Sequence, residues 1–170
     1  MQANKTLSIL LDALSLKNLP RTGWILAKAP CESVAEHTCG VAIIALALAR
    51  MEKLPAKEEA ALLRLALLHD LHEARIGDLT PKQKKKTMPD VAKVELEMMA
   101  GTLFEPEIAL LQNKKGKLSI LLTDADRLDM LFRAIENKKK GSKDMQQFID
   151  SALKQIKSKS GKKLAKFALG

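Results

Sequence analysis

The sequence predicts an all-α, single-domain helical bundle, and three observations carry that prediction. Apolar residues recur at three- and four-residue spacing, with no strand-like alternation and no internal repeat. Aromatics make up only 3% of the chain and Tyr is absent, so the core must come from Leu, Ala, Ile and Met, a composition that suits helices. No linker is long or polar enough to divide 170 residues into two cores.

The elements follow in order. A first helix is expected from Lys5 to Leu16, then a loop marked by Pro20, Gly23 and Pro30. "SVAE", Ser33 to Glu36, reads as a capping box, so a second helix starts there and runs to about Glu52. Pro55 breaks it. A third helix runs from about Lys57 into "LLHDLHEARIGDLTP", Leu67 to Pro81, where Gly77 and Pro81 end it. Thr87-Met-Pro-Asp opens a fourth, through about Leu103. A short helix near Glu107 to Gln112 and a long one from Leu118 to about Glu136 come next. One or two basic helices over residues 138–170 complete the same domain.

The charge balance is basic, 29 Lys+Arg against 20 Asp+Glu, with most lysines after Pro81 in "KQKKK", "NKKGK", "NKKKGSK" and "KSKSGKK". These runs read as solvated helix ends. They hold no interleaved aromatics for base stacking, so nucleic acid is not the expected partner. The longest apolar run, Val41 to Ala49, is far short of the roughly 20 residues a bilayer span needs. The N-terminal stretch has one Lys and is interrupted by Asp12, unlike a signal peptide. Cys31 and Cys39 form no CxxC pair and read as reduced thiols of a cytoplasmic protein.

The titratable groups crowded into "LLHDLHEARIGDLTP" need a reason, because charges are rarely buried unless paired or holding a metal. His69 continues the stripe Leu62, Leu65, Ala66, with Glu73 one turn further on the same face. Asp70 lies about 100° around from His69 on a regular helix, so a distorted helix end must bring the two together. His37 shares an apolar face with Val41, Ile44 and Leu48; alone it would read as a core histidine. In "TDADRLDML", Asp124 and Asp126 flank the stripe Leu121, Ala125, Leu128, Phe132, Ile135, and periodicity does not choose between them; an exposed acidic face paired with Arg127 and Arg133 is the alternative. Together, His, His-Asp and Asp from three helices suit one divalent ion such as Mn, Co, Fe or Zn, with positions open for a water and a phosphoryl oxygen. His72 is the one spare histidine, which favours a single ion.

At these residues the chain resembles the HD-domain metal-dependent phosphohydrolases, whose signature is His…His-Asp…Asp. "RTGW" at Arg21 to Trp24, "ESVAEH" at Glu32 to His37, "LLHDLHEARIGDLTP" and "DADRLDM" at Asp124 to Met130 occur in the order seen in the 5'-deoxynucleotidase branch, which includes HD-domain-containing protein 2. The resemblance implies an HD-type bundle with the metal in its core, held by His37, His69, Asp70 and Asp126. It implies Glu73 as general acid/base, Asp78 in the catalytic pocket, Arg21 on the phosphate and Trp24 against the sugar 2' position. It further implies a deoxynucleoside 5'-monophosphate as substrate and a homodimer. The competing expectations are an HD-type nuclease or cyclic-nucleotide phosphodiesterase, with the lysine runs gripping a longer chain, and a bundle that only binds a partner.

Overall fold

The computed structural model describes residues 2–87, 90–113 and 115–170, and among them it is all-α. The helices are α1 (Gln2–Ser15), α2 (Thr22–Leu26), α3 (Val34–Met51), α4 (Ala56–Leu68), α5 (Glu73–Ile76), α6 (Pro81–Thr87), α7 (Val91–Met99), α8 (Ile108–Gln112), α9 (Lys117–Lys139), α10 (Met145–Gln155) and α11 (Lys159–Leu169). Single 3₁₀ turns cover Leu16–Asn18 and Glu105–Glu107.

The capping box forms as the sequence specifies: Ser33 Oγ accepts from the Glu36 N–H, and Glu36 Oε2 accepts from the Ser33 N–H. An isolated bridge between Pro20 and Ser33 closes the preceding loop, with Arg21 N–H donating to the Glu32 carbonyl and Val34 N–H to that of Leu19. That closure holds the short helix α2, absent from the sequence prediction, against the start of α3.

Other differences have local causes. The third predicted helix divides into α4 and α5 at His69. Pro81 opens α6 instead of only ending a helix, because a proline is well placed at a first helical position. Met88 and Pro89, part of the predicted fourth start, lie outside the described residues; Asp90 caps α7 by accepting from the Lys93 N–H. α7 stops at Met99, ahead of Gly101 with its φ of 72°. On α9 the buried stripe runs Leu128, Leu131, Ala134, and Phe132 and Ile135 lie at its margin.

α9 is the central helix and packs against α3, α4, α10 and α11. One apolar cluster joins Val41, Leu48, Leu62, Leu121, Leu128, Leu131, Met145 and Ile149. A second lies under α1 and α7 and joins Ile9, Leu16, Val34, Leu65, Leu71, Met98 and Met99. His37 sits between Val34 of the second and Val41 of the first, so this buried polar group lies where the two apolar clusters meet. α3 is long and apolar enough to cross a bilayer by length and composition, with a mean hydropathy of 1.5. Here its Val34, His37, Val41, Ala45 and Leu48 face is buried against the bundle.

Candidate metal centre

The regular helical ladder breaks at the end of α4. Leu71, Glu73 and Ala74 donate to the carbonyls three residues back, from Leu68, Asp70 and Leu71, so the chain tightens as it passes His69 and Asp70. His69 Nδ1 lies 2.8 Å from the Ala66 carbonyl in the last turn of α4. The tightened turn turns Asp70 inward, and its Oδ2 comes within 3.1 Å of His69 Nε2 and 3.5 Å of His37 Nε2. Asp126 Oδ1 stands 3.4 Å from His37 Nε2. The donor atoms of His37, His69 and Asp126 all lie within 4.8 Å of one another.

These residues fit a divalent cation. The two Nε2 atoms are buried with no hydrogen-bond partner among the described residues, although both face carboxylates. Two imidazoles and two carboxylates are a borderline-to-hard donor set. Ligands about 2.1 Å from a common ion stand about 3 Å apart when adjacent, close to the separations seen here. The electrostatics agree. Burial opposes charge on His37, but Asp126 and Asp129 outweigh it and push the imidazole up to about 9. Burial would raise Asp70, but His69, His37 and Arg21 hold its carboxyl well below the usual range.

The three aspartates of "TDADRLDML" have three different jobs. Asp126 faces the histidines. Asp124, which periodicity left equivalent, is fully buried and turns the other way, accepting from the Lys157 and Ser158 N–H groups at the start of α11. Asp129 Oδ2 lies 2.6 Å from His37 Nδ1, within hydrogen-bond distance. Asp124→Ala would leave two N–H groups without their charged acceptor, so chemical denaturation should show a loss of about 2–4 kcal/mol, with metal uptake retained. Unchanged stability would remove the clamp role.

The remaining predicted residues border the same centre. Arg21 Nη1 is 3.4 Å from Asp70 Oδ2 and 4.0 Å from Asp78 Oδ1. Asp78 also accepts from the Thr22 N–H at 2.6 Å, and its carbonyl accepts from the Thr22 hydroxyl, so it pins the start of α2 as well as facing Arg21. Glu73 is 2% exposed; burial, then Asp70 and Asp78, push its carboxyl up to about 8. Lys84 from α6 approaches it at 3.8 Å. Trp24 is 3% exposed, donates to Glu32 Oε1 at 3.0 Å and stacks on Phe148 with centroids 4.7 Å apart. His72 Nδ1 lies 3.9 Å from Glu95, and a ring nitrogen of His72 is also within 4.8 Å of carboxylate oxygens of Asp70 and Glu73.

A cavity of about 830 Å³ opens beside the centre, lined by Arg21, Trp24, Asp78, Arg127, Met130 and Phe148 among others. Sequence reasoning missed Arg127 as a site residue: it lines this cavity and reaches Asp126 at 3.6 Å. Its position next to Asp126 was the available signal. It also missed Asp129, whose distance of three residues from Asp126 was visible but whose direction was not.

The HD domain family matches residues 13–167. Over 173 aligned residues the chain is 31% identical to the 5'-deoxynucleotidase hdd1 of Schizosaccharomyces pombe, covering 87% of this chain and 82% of that one. It is 30% identical to the 5'-deoxynucleotidase HDDC2 of Dictyostelium discoideum, covering 73% of each. Among solved structures, the PH0347 protein from Pyrococcus horikoshii superposes with a TM-score of 0.77 at 30% identity, covering 96% of this chain and 95% of that one.

Proposed function

The chain belongs to the HD-domain family, and on that premise we propose that it is a divalent-metal-dependent 5'-deoxynucleotidase, a phosphomonoesterase acting on deoxynucleoside 5'-monophosphates. One observation carries the reading: two histidine nitrogens and two carboxylates converge beside a nucleotide-sized cavity whose lining includes two guanidinium groups.

In this reading His37, His69, Asp70 and Asp126 hold one ion of the Mn, Co, Fe or Zn type. A bound ion supplies Lewis acidity toward the attacking water and a phosphoryl oxygen. Arg21 and Arg127, each drawn toward one of the carboxylate ligands, bind the phosphate from two sides. Asp78 keeps Arg21 in place through Thr22. Glu73 carries a proton at neutral pH in the metal-free pocket and exchanges it during hydrolysis. Trp24, which is among the residues lining the cavity, crowds the sugar 2' carbon.

The test is phosphate release from paired ribo- and deoxyribonucleoside 5'-monophosphates across several divalent metals. Deoxyribonucleotides should react faster. Equal rates, or faster cleavage of a short single-stranded oligonucleotide than of any monophosphate, would overturn the reading in favour of another HD-type phosphohydrolase. Trp24→Ala should narrow the sugar preference, from about tenfold or more toward unity. Because Trp24 is also part of the core, the same change should lower stability by about 3–5 kcal/mol. A stability loss with the preference intact would leave Trp24 only its packing role.

Homodimer formation and a cytoplasmic setting belong to the same reading. Leu7, Leu10, Leu11 and Leu14 lie about half exposed along one face of α1, a surface suited to a second copy. Light scattering of the purified chain tests this, and a monomer at micromolar concentration would exclude it. Both cysteines are free, which suits a reducing compartment.

A further inference from the structure

Gly40 lies on α3, three residues after His37, directly beneath the Asp129 carboxylate of α9. A Cβ placed on Gly40 would come 2.0 Å from Asp129 Oδ1 and 3.0 Å from its Cγ. Glycine in the middle of a helix is normally unfavourable, because it is the most flexible residue to order and contributes no packing. Here the missing side chain is the space that lets a carboxylate lie against the helix backbone. From that cradle, Asp129 reaches His37 Nδ1 at 2.6 Å.

We propose that Gly40 and Asp129 form a positioning device that fixes the tautomer and aim of His37 toward a bound divalent cation. It rests on the metal reading above and adds two residues to it. A neutral imidazole carries one N–H. A carboxylate oxygen at Nδ1 favours the tautomer that places the hydrogen there, which leaves the Nε2 lone pair facing His69, Asp70 and Asp126. Glu32 also lies near this pair, but its oxygens face the Trp24 N–H and, at 3.6 Å, Arg133. Asp129 is therefore the carboxylate that directs His37, and a side chain at position 40 would occupy the place its carboxylate now takes.

The experiment uses the full chain and titrates Mn²⁺ calorimetrically into wild type, Asp129→Ala, Asp129→Asn, Gly40→Ala and the Gly40→Ala/Asp129→Ala pair. Asp129→Ala and Gly40→Ala should each weaken binding by about 10–100-fold. The double variant should bind no more weakly than Asp129→Ala alone, because both changes remove one contact. Asp129→Asn, which keeps an acceptor without the charge, should recover part of the loss. Gly40→Ala should keep the wild-type helix content, since the atom in its way is the end of a side chain; loss of affinity in a folded protein separates aim from fold. If Gly40→Ala does not fold, the two Asp129 variants decide the matter. Affinities within twofold of wild type in the Asp129 variants would overturn the proposal. A second readout does not require metal: ¹⁵N spectra of His37 in the metal-free neutral imidazole state should show Nδ1–H in wild type and loss of that preference in Asp129→Ala. A wild type that binds no Mn²⁺ yet shows this shift would count against the metal reading and for the positioning device. No shift in Asp129→Ala would overturn the device itself.

Discussion

Asp70→Ala, His69→Ala and Asp126→Ala proteins should each bind no divalent ion at micromolar metal and lose hydrolysis by at least roughly 10³-fold, while the purified wild type carries about one ion per chain. The reason is geometric. Asp70 Oδ2 lies within 3.5 Å of both histidine Nε2 atoms, and Asp126 Oδ1 stands 3.4 Å from that of His37. Removing either leaves buried imidazoles with one carboxylate fewer and no means of completing a four-ligand set. Asp124→Ala, two residues from Asp126, should keep its metal, which makes the pair an internal control. Uptake should also depend on pH with a definite sign. His37 is held up to about 9 in the metal-free pocket, so binding must displace its proton at any lower pH. Apparent affinity should rise by about tenfold per pH unit up to about pH 9, and by more where His69 also gives up a proton. Elemental analysis and calorimetry at several pH values check both statements. Undiminished activity in a strong chelator, or affinity independent of pH, would defeat them.

The second large effect belongs to Glu73. Glu73→Gln should lose about 10²-fold or more in turnover while retaining its metal, because the amide keeps the shape but cannot exchange a proton. Its stability should move the other way. The folded-state carboxyl, pushed up to about 8, lies above the ordinary glutamate value of 4.5, so ionising it in the fold is unfavourable. Metal-free wild type should therefore lose stability as pH rises from about 4.5 through about 8, on top of any loss from His37. Glu73→Gln lacks that contribution and should show a shallower decline. Thermal melts of the two metal-free proteins between pH 5 and 9 measure the difference. Parallel curves together with normal turnover would confine Glu73 to holding the end of α4.

Most of the fold was legible because its signals are local. The capping box at Ser33, the breaks at Pro55 and Gly77 and the apolar spacing of α3, α4 and α9 depend on residues within a few positions of each other. The helices they predict are present, the third of them divided at His69. What was not legible depended on longer range. α2 is held by the bridge between Pro20 and Ser33 and by Asp78, 56 residues away in sequence from Thr22. The division between α4 and α5 follows from a tightened turn that no composition rule demands. The buried stripe of α9 ends at Leu131 and Ala134 because α10 packs across that face, and a helical-wheel reading has no knowledge of the neighbour.

The site divides along the same line. By itself the sequence determined which residue types were available for chemistry: His37, His69 and Glu73 stand at positions where helical spacing turns apolar faces inward, Asp70 lies beside them about 100° around the helix, and a buried face tolerates such groups only with a partner or an ion. It could not rank Asp124 against Asp126, since both flank one stripe about equally. Only the tertiary structure decided that, by setting α11 on one side of α9 and α3 on the other. Asp124 then meets two backbone N–H groups, Asp126 meets His37 Nε2, and Asp129 meets His37 Nδ1 over the bare backbone of Gly40. A helix repeats its directions every few residues, and what a given direction reaches depends on which helix lies alongside.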